Sequence, residues 1–149
     1  MATYIHAFVE YDDTNGASPG ADVPFQKEVD SSRVIDLTRY DAFLAGKDYR
    51  FFSAIAGVQR ETWAMPRYPP RGLPENVSTI VKDYMMEYIG SGDGCVIGWL
   101  TYMEMLEALS SSYVEVADLS LAPRVVLAMM AFLGSQLGTD RVRLVFAFE

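Results

Sequence analysis

The sequence predicts an α+β fold in which a mostly antiparallel sheet, including the N- and C-terminal strands, is covered by about four helices. Strand-forming residues dominate 3–11 and 141–148, and four segments between them carry apolar residues at helical spacing. Half of the 149 residues are apolar, which supports one packed core at this length. We therefore expect a single domain over residues 1–149, with long loops at 14–32 and 60–74.

The first strand is predicted at residues 3–11, where β-formers alternate with small or polar residues. It ends in a run of turn formers that begins at Asp12. Glycine, serine, proline and aspartate dominate the loop at 14–32 that follows. Three alternating apolar residues within that loop allow a short edge strand, namely Val23, Phe25 and Val29.

The first helix is predicted from Tyr49 to about Gly57, because Asp48 can cap its N-terminus. Its apolar face, which we expect in the core, comprises Phe51, Phe52, Ile55 and Val58. The segment 60–74 then holds four of the seven prolines and three arginines, so neither a helix nor a central strand can persist there. Loops of this length tend to be functional or disordered, and its embedded aromatic residues favour an ordered one.

The second helix is predicted to begin after Asn76 or Ser78 and to end at Gly90, before the glycine-rich turn at 90–94. Its apolar stripe comprises Val77, Ile80, Val81, Tyr84, Met85 and Tyr88. A short strand from Cys95 to Trp99 comes next. These patterns add one helix and one strand to the predicted layer structure.

Thr101 and Glu104 form a capping-box pattern, which predicts a third helix that runs through Leu109. A short strand is predicted at 114–116, and a fourth helix at 121–137 that is apolar nearly all round and therefore well buried.

The final strand is predicted to begin at Arg141, after a helix end at Gly138. Its apolar face comprises Val142, Leu144, Phe146 and Phe148. We expect this face to meet the helices on one side of the sheet, and Arg141 and Arg143 to face outward.

Composition excludes several classes of function. The net charge of −8 opposes a phosphate backbone, so we expect no direct nucleic-acid binding. A single cysteine cannot form an intramolecular disulfide, and the N-terminus lacks the basic segment of a signal peptide. The longest apolar run, 125–133, is about half of the roughly 20 residues that a bilayer span requires. We expect no membrane association and a cytoplasmic location.

The chain is poor in reactive side chains, since His6 and Cys95 are the only histidine and cysteine. A structural zinc site needs four ligands of these types, and a catalytic one usually needs three protein ligands. A Cys–His nucleophile pair would require a long-range contact that no local motif supports. The sequence therefore predicts no catalytic residues, no metal and no cofactor, and it favours a binding protein over an enzyme.

Six residues are candidates for contact with a ligand or partner. The guanidinium groups suit planar anions, and the imidazole and indole rings could complete one pocket with them. The alternative is structural: the imidazole is satisfied by a backbone carbonyl, while the arginines bond loop carbonyls and stack on neighbouring rings. The six candidates are His6, Arg60, Trp63, Arg67, Arg71 and Trp99.

Five motifs in register resemble a family of small proteins encoded by tailed bacteriophages and prophages. The family opens with Gly-Cys-Asp-Ile-His, and Ile5-His6 lie at the matching place. A segment of the type Arg-Asn-Tyr-Asp-Leu-Phe-Ala-Ile-Leu-Ala-Gly-Val-Arg is similar to residues 47–59, and Pro-Arg-Gly-Leu-Pro followed by Val-Ser matches residues 70–78. The helix entry Ser-Trp-Leu-Thr resembles residues 98–101, and the strand Asp-Val-Arg-Ile-Val-Phe-Trp-Phe resembles residues 140–148.

Two departures from the family pattern bear on function. Ala2-Thr3-Tyr4 replace the family's Gly-Cys-Asp, which removes the acid that would stand next to His6. Residues 95–98 replace a family His-Ser-His-Ser segment. If relatives use those groups for metal or acid–base chemistry, the resemblance implies that this chain has lost it.

The sequence and the resemblance together favour a phage-encoded accessory protein that binds and modulates a host protein without chemistry of its own, in the cytoplasm of the host cell. One alternative is binding or hydrolysis of a small anionic ligand such as a nucleotide, at the arginine-rich loop. A second is an acidic mimic of nucleic acid. The methionine and tyrosine content also favours self-association as a homo-oligomer.

Overall fold

The computed structural model describes residues 4–13, 33–58, 66–89 and 95–149, and it has an α+β fold. Four strands form one antiparallel sheet in the order β2-β1-β4-β3. The strands are β1 (Ile5–Tyr11), β2 (Val34–Asp36), β3 (Val96–Thr101) and β4 (Val142–Phe148). The N- and C-terminal strands are therefore central neighbours, which confirms the predicted sheet.

Five α-helices accompany the sheet in the described residues. They are α1 (Asp41–Gly46), α2 (Tyr49–Ala56), α3 (Thr79–Tyr84), α4 (Tyr102–Ser111) and α5 (Leu121–Leu137). A π-helical turn, Met85–Ile89, continues α3. Short 3₁₀ turns lie at Val116–Asp118 and Thr139–Arg141.

Local signals explain where three of these helices begin. Asp48 accepts hydrogen bonds from the N–H groups of Arg50 and Phe51 at the start of α2. Ser78 caps α3 through its hydroxyl, and Thr101 with Glu104 completes the capping box of α4. The three predicted helix starts are confirmed.

The main core lies against one face of the sheet, which we call the first face. The side chains that β1 directs to this face are apolar. Ile5, Ala7 and Val9 point to this face and are buried with residues of α2, α4 and α5. Period-two alternation of the strand places these three side chains together. Ring packing adds directional contacts, such as Phe52 against Phe148 at 5.0 Å between centroids.

A smaller core lies on the second face of the sheet, beneath α3 and the π-helical turn. Val81, Met85 and Ile89 pack there against Phe8 and Val145. The expectation that helices cover one side only is therefore wrong. The helical stripe of α3 meets the opposite face because the chain crosses the sheet edge before the helix begins.

The outward position predicted for Arg143 is also wrong. All seven residues of β4 are buried, and Arg143 is only 2% exposed because it pairs with Glu10 of β1. Arg143 does point away from the main core, as predicted. Because α3 covers the second face of the sheet, this side chain is nevertheless buried.

Two further expectations differ from the structure. Residues 114–116 form no strand, because the chain leaves α4 through a tight turn and then makes the 3₁₀ turn. The helix α5 is not buried all round: Leu121, Val125 and Phe132 are exposed on its outer side. Only one stripe of a helix can face a single sheet layer.

Residues 66–74 run beside β3, the edge strand of the sheet. The N–H of Gly72 donates to the carbonyl of Ile97 at 2.9 Å. A Cβ at Gly98 would lie 3.0 Å from the ring of Phe146 and 3.3 Å from the Cα of Pro70, so this close approach requires glycine. The segment covers an edge that would otherwise expose unpaired backbone groups.

The predicted loop at 14–32 lies outside the described residues, as do the glycine-rich turn at 90–94 and the first part of the loop at 60–74. The structure adds β2 and α1, which no sequence pattern indicated.

Candidate functional site

The structure places the predicted site residues in two separate groups. Arg60 and Trp63 lie outside the described residues. Arg71 and Trp99 meet at the edge of β3, whereas His6 lies on β1 across from Ala147 of β4. The described part of the chain does not bring the imidazole and these guanidinium groups into one pocket.

Arg71 is held by three groups at the sheet edge. Its guanidinium lies 3.7 Å from the centroid of the Trp99 ring, as a cation–π contact. Its Nε donates to the carbonyl of Trp99 at 3.1 Å, and one terminal nitrogen pairs with Glu104 at 2.6 Å. This arrangement resembles the structural alternative more than an anion clamp, since its donors are directed at protein groups.

Glu104 links this cluster to the start of α4. Burial raises the pKa of the Glu104 carboxyl, but the Arg71 guanidinium and the bonds with Thr101 outweigh that effect, so its pKa is lowered. The residue stays ionised at neutral pH and completes the capping box. The same loop also places Arg67 near Tyr68, whose hydroxyl donates to Glu107 of α4.

His6 lies in a polar chain on the second face of the sheet. Its Nδ1 lies 2.7 Å from the hydroxyl oxygen of Tyr84, and its Nε2 lies 3.2 Å from Oε1 of Glu149. The Nε2 atom is buried, and its contact with Glu149 is not an aligned hydrogen bond. We expected a backbone carbonyl as the partner of the ring, and the structure instead gives two side chains.

The phenol of Tyr84 is neutral and fixed in place. Burial raises its pKa, and the nearby charges of Asp36 and Glu149 raise it further. Its ring meets Phe8 edge-on at 5.1 Å and lies 4.7 Å from the ring of Tyr88. A neutral hydroxyl that is bonded to imidazole serves here as an anchor for the ring.

The outer side of α3 and the π-helical turn presents three large side chains at four-residue spacing. Ile80 is 44% exposed and Tyr88 is 61% exposed, with the half-buried Tyr84 between them. We call Ile80, Tyr84 and Tyr88 the tyrosine platform. A π-helical turn is frequent at functional sites, and here it supplies Tyr88.

A buried ion pair fixes the start of the helix that carries the platform. Arg143 donates to Glu10 at 2.7 Å and to the side-chain oxygen of Asn76 at 2.9 Å. The second carboxylate oxygen of Glu10 accepts the N–H of Ser78 at 2.8 Å. Burial lowers the pKa of Arg143, and Glu10 opposes that shift. The pair therefore ties β1 and β4 to the N-cap of α3.

The sequence predicted one continuous apolar stripe along this helix. The structure divides it, because Val81 and Met85 are buried whereas Ile80 and Tyr88 are exposed. The sequence feature that could have indicated an exposed surface here is the pair of tyrosines, because tyrosine is enriched at interfaces. No local pattern connected His6 with Tyr84.

Among the described residues, no three His, Cys, Asp or Glu side chains lie close enough together to hold a metal ion. Within the same ranges, no helix has the length and apolar character needed to cross a bilayer. Comparison with known proteins yields no matching family model, curated protein or solved structure. The fold and the site thus define an α+β protein with an exposed aromatic surface.

Proposed function

We propose that this protein binds another protein through the tyrosine platform and modulates that partner without chemistry of its own. The resemblance to phage-encoded proteins makes a protein in the host cytoplasm the partner that we propose. The observation that carries the proposal is the exposure of Ile80 and Tyr88 on either side of a Tyr84 ring that His6 already fixes.

The geometry of the platform suits an interface centre. Tyrosine is enriched among the residues that dominate binding energy, because it offers a large apolar ring with one polar end. An ordered side chain also avoids about 0.5–1.5 kcal/mol of rotamer entropy on binding. Tyr84 is ordered by His6 and Phe8, and Tyr88 packs on Tyr84.

Charge around the platform favours a basic partner. Asp83 and Glu87 are exposed on the same helical segment, against one exposed lysine, Lys82. Asp36 and Glu149 are near enough to raise the pKa of Tyr84. Charges at the rim of an interface mainly accelerate association, and salt screens them. We therefore expect association with the partner to slow as ionic strength rises.

The alternative of a small anionic ligand draws little support from Arg71 or Arg143. Arg71 directs its donors at Glu104 and a backbone carbonyl. Arg143 is buried against Glu10. An anion would have to displace a carboxylate at either position, which costs the existing charge-assisted bond.

Affinity capture from a lysate of the natural host tests the proposal. The baits are the wild-type chain, Tyr88→Ala and the control Phe132→Ala, which removes an equally exposed ring from α5 in the other layer. We expect one host protein to be retained by wild type and Phe132→Ala and at least tenfold less by Tyr88→Ala. Equal retention by all three baits, or no retention by a folded wild type, would contradict the proposal.

A further inference from the structure

A tyrosine occupies the position after α4 where glycine is the usual residue. The N–H of Tyr113 donates to the carbonyl of Ser110 at 3.1 Å, and the N–H of Val114 donates to that of Leu109 at 2.9 Å. These two bonds define a Schellman motif, in which the residue after the cap adopts the left-handed conformation. Tyr113 adopts it with φ 58°.

The left-handed conformation is costly for a residue with a Cβ, and glycine avoids that cost. The end of α2 follows the usual rule, with Gly57 at φ 75°. At Tyr113 the two backbone bonds are the compensation, and packing of the side chain adds little because it is 96% exposed. A strained residue with an unused side chain points to a role outside the folded chain.

A surface pocket of about 550 Å³ has Tyr113 in its lining. Its walls are mainly apolar, and they come from the last turns of α4 and from the chain that follows. The residues beside Tyr113 in the lining are Leu106, Leu109, Ser110, Val114, Glu115 and Val116. The pocket therefore offers a place for an apolar side chain next to an exposed aromatic ring.

The segment that lines this pocket carries acidic side chains and no basic ones. Residues 102–119 contain no lysine or arginine. Glu107, Glu115 and Asp118 are exposed there. A second copy of the chain would bring a net charge of −8 and the same carboxylates to the contact, which opposes self-association at this surface. Complementary charge selects a basic partner instead.

We propose that Tyr113 and the adjoining pocket form a second docking surface for a short segment of another protein, in which an aromatic or aliphatic anchor is flanked by lysine or arginine. The anchor enters the pocket beside the Tyr113 ring, and the basic residues meet Glu115 and Asp118. This surface belongs to α4 and lies in the layer opposite the tyrosine platform, so it is independent of the function proposed above.

Selection from a displayed library of random 12-residue peptides tests the proposal directly. The wild-type chain is the bait, and Tyr113→Gly is used to remove peptides that bind elsewhere. We expect the enriched peptides to share an apolar anchor with basic neighbours. No enrichment, acidic neighbours, or a preference for the Tyr113→Gly chain would overturn the proposal.

Affinities of one enriched peptide for point variants then separate the ring from the backbone. Tyr113→Ala keeps the strained backbone and removes the ring, so we expect at least tenfold weaker binding. Tyr113→Phe keeps the ring and should bind within threefold of wild type. Tyr88→Ala, on the platform, should leave the affinity unchanged. Full binding by Tyr113→Ala, or loss of binding in Tyr88→Ala, would contradict a separate surface.

Stability provides a second readout. Tyr113→Gly is expected to lower the unfolding equilibrium constant about fivefold, because glycine adopts this conformation without strain. The same variant should lose peptide binding, so that binding and stability change in opposite senses. Sedimentation of the wild-type chain tests whether a second copy occupies this surface instead. A wild-type dimer that becomes a monomer in Tyr113→Ala would overturn the proposal of a basic segment.

Discussion

The two faces of the sheet are built from the same strands but by different physics. On the first face, Ile5, Ala7 and Val9 enter an aliphatic and aromatic core. On the second face, His6 contacts the hydroxyl of Tyr84. Glu10 accepts hydrogen bonds from Ser78, the N-cap of α3, and from Arg143 of β4. The first face supplies apolar burial, which is strong but not directional. The second face has a smaller apolar core and adds directional polar contacts, which tie the start of α3 to the sheet and so help to position the tyrosine platform.

The largest expected effect comes from breaking the ion pair of the second face. Arg143→Met leaves the carboxylate of Glu10 buried without its charge partner, at a cost of about 3–5 kcal/mol in unfolding free energy. In the double variant Glu10→Gln with Arg143→Met, a neutral amide can still accept from Ser78, so at least half of the loss should return. Urea unfolding measures both. If the unfolding free energy of Arg143→Met lies within about 0.5 kcal/mol of wild type, the ion pair does not stabilise the second face as we infer.

A smaller loss is expected from Asp48, a buried carboxylate that joins α2 to the chain before α5. Asp48 accepts bonds at the start of α2 and two more from Ser120, before α5, at 2.8 and 2.9 Å. Asp48→Ala should cost about 2–3 kcal/mol at pH 7, since a cap and a long-range link are both lost. The exposed Asp41→Ala serves as the control and should change little.

The Asp48 contribution should also depend on pH. Burial raises the pKa of this carboxyl, but hydrogen bonds from Ser120 and Phe51 and the charge of Arg50 outweigh it, so the folded pKa is lowered. The stabilisation is then full above the unfolded pKa of about 3.9 and is lost as the pH falls through the folded pKa. We expect the difference between wild type and Asp48→Ala to shrink as the pH falls below about 4. A constant difference would contradict the ionised cap.

The sheet edge should respond to a single methyl group. Gly98→Ala places a Cβ against the ring of Phe146 and the backbone of Pro70, so we expect a loss of about 1–3 kcal/mol. Gly134→Ala in α5 is the matched control, because its new Cβ meets Thr139 at an ordinary 3.4 Å. Helix propensity then makes that control neutral or slightly stabilising. Thermal unfolding of the two variants gives the comparison.

The smallest expected effect is at the anchor of the platform. Tyr84→Phe removes the hydroxyl that lies 2.7 Å from Nδ1 of His6, which should cost about 1 kcal/mol. Tyr88→Phe removes an exposed hydroxyl and should cost nothing measurable. Denaturant midpoints for the pair test the anchor. An unchanged midpoint for Tyr84→Phe would mean that His6 does not hold the ring.

The sequence predicted the elements whose boundaries depend on residues close together in the chain. The cap at Asp48, the capping box at Thr101 and the terminal strands all depend on neighbouring residues or on period-two alternation, and the structure confirms them. The partner of Arg143 could not be predicted, because Glu10 is 133 positions away and only the strand register joins them. The same holds for His6 and Tyr84, which are 78 positions apart.

The placement of helices on two faces was missed for a related reason. An amphipathic stripe shows that a helix buries one side, but not which face of the sheet it meets. For α3, the bonds that tie its start to the second face come from Glu10 and Arg143, for which the sequence indicated no partner. Tyr113 was missed because its conformation, and not its identity, is the unusual property.

The most direct test of the account is amide hydrogen exchange of the chain alone and in complex with the host protein captured by the wild-type bait. If the second face presents the binding surface, exchange over residues 79–89 should slow on binding, while exchange over α5 stays unchanged. Slowing confined to α5, with residues 79–89 unaffected, would contradict the claim that the tyrosine platform is the site of contact.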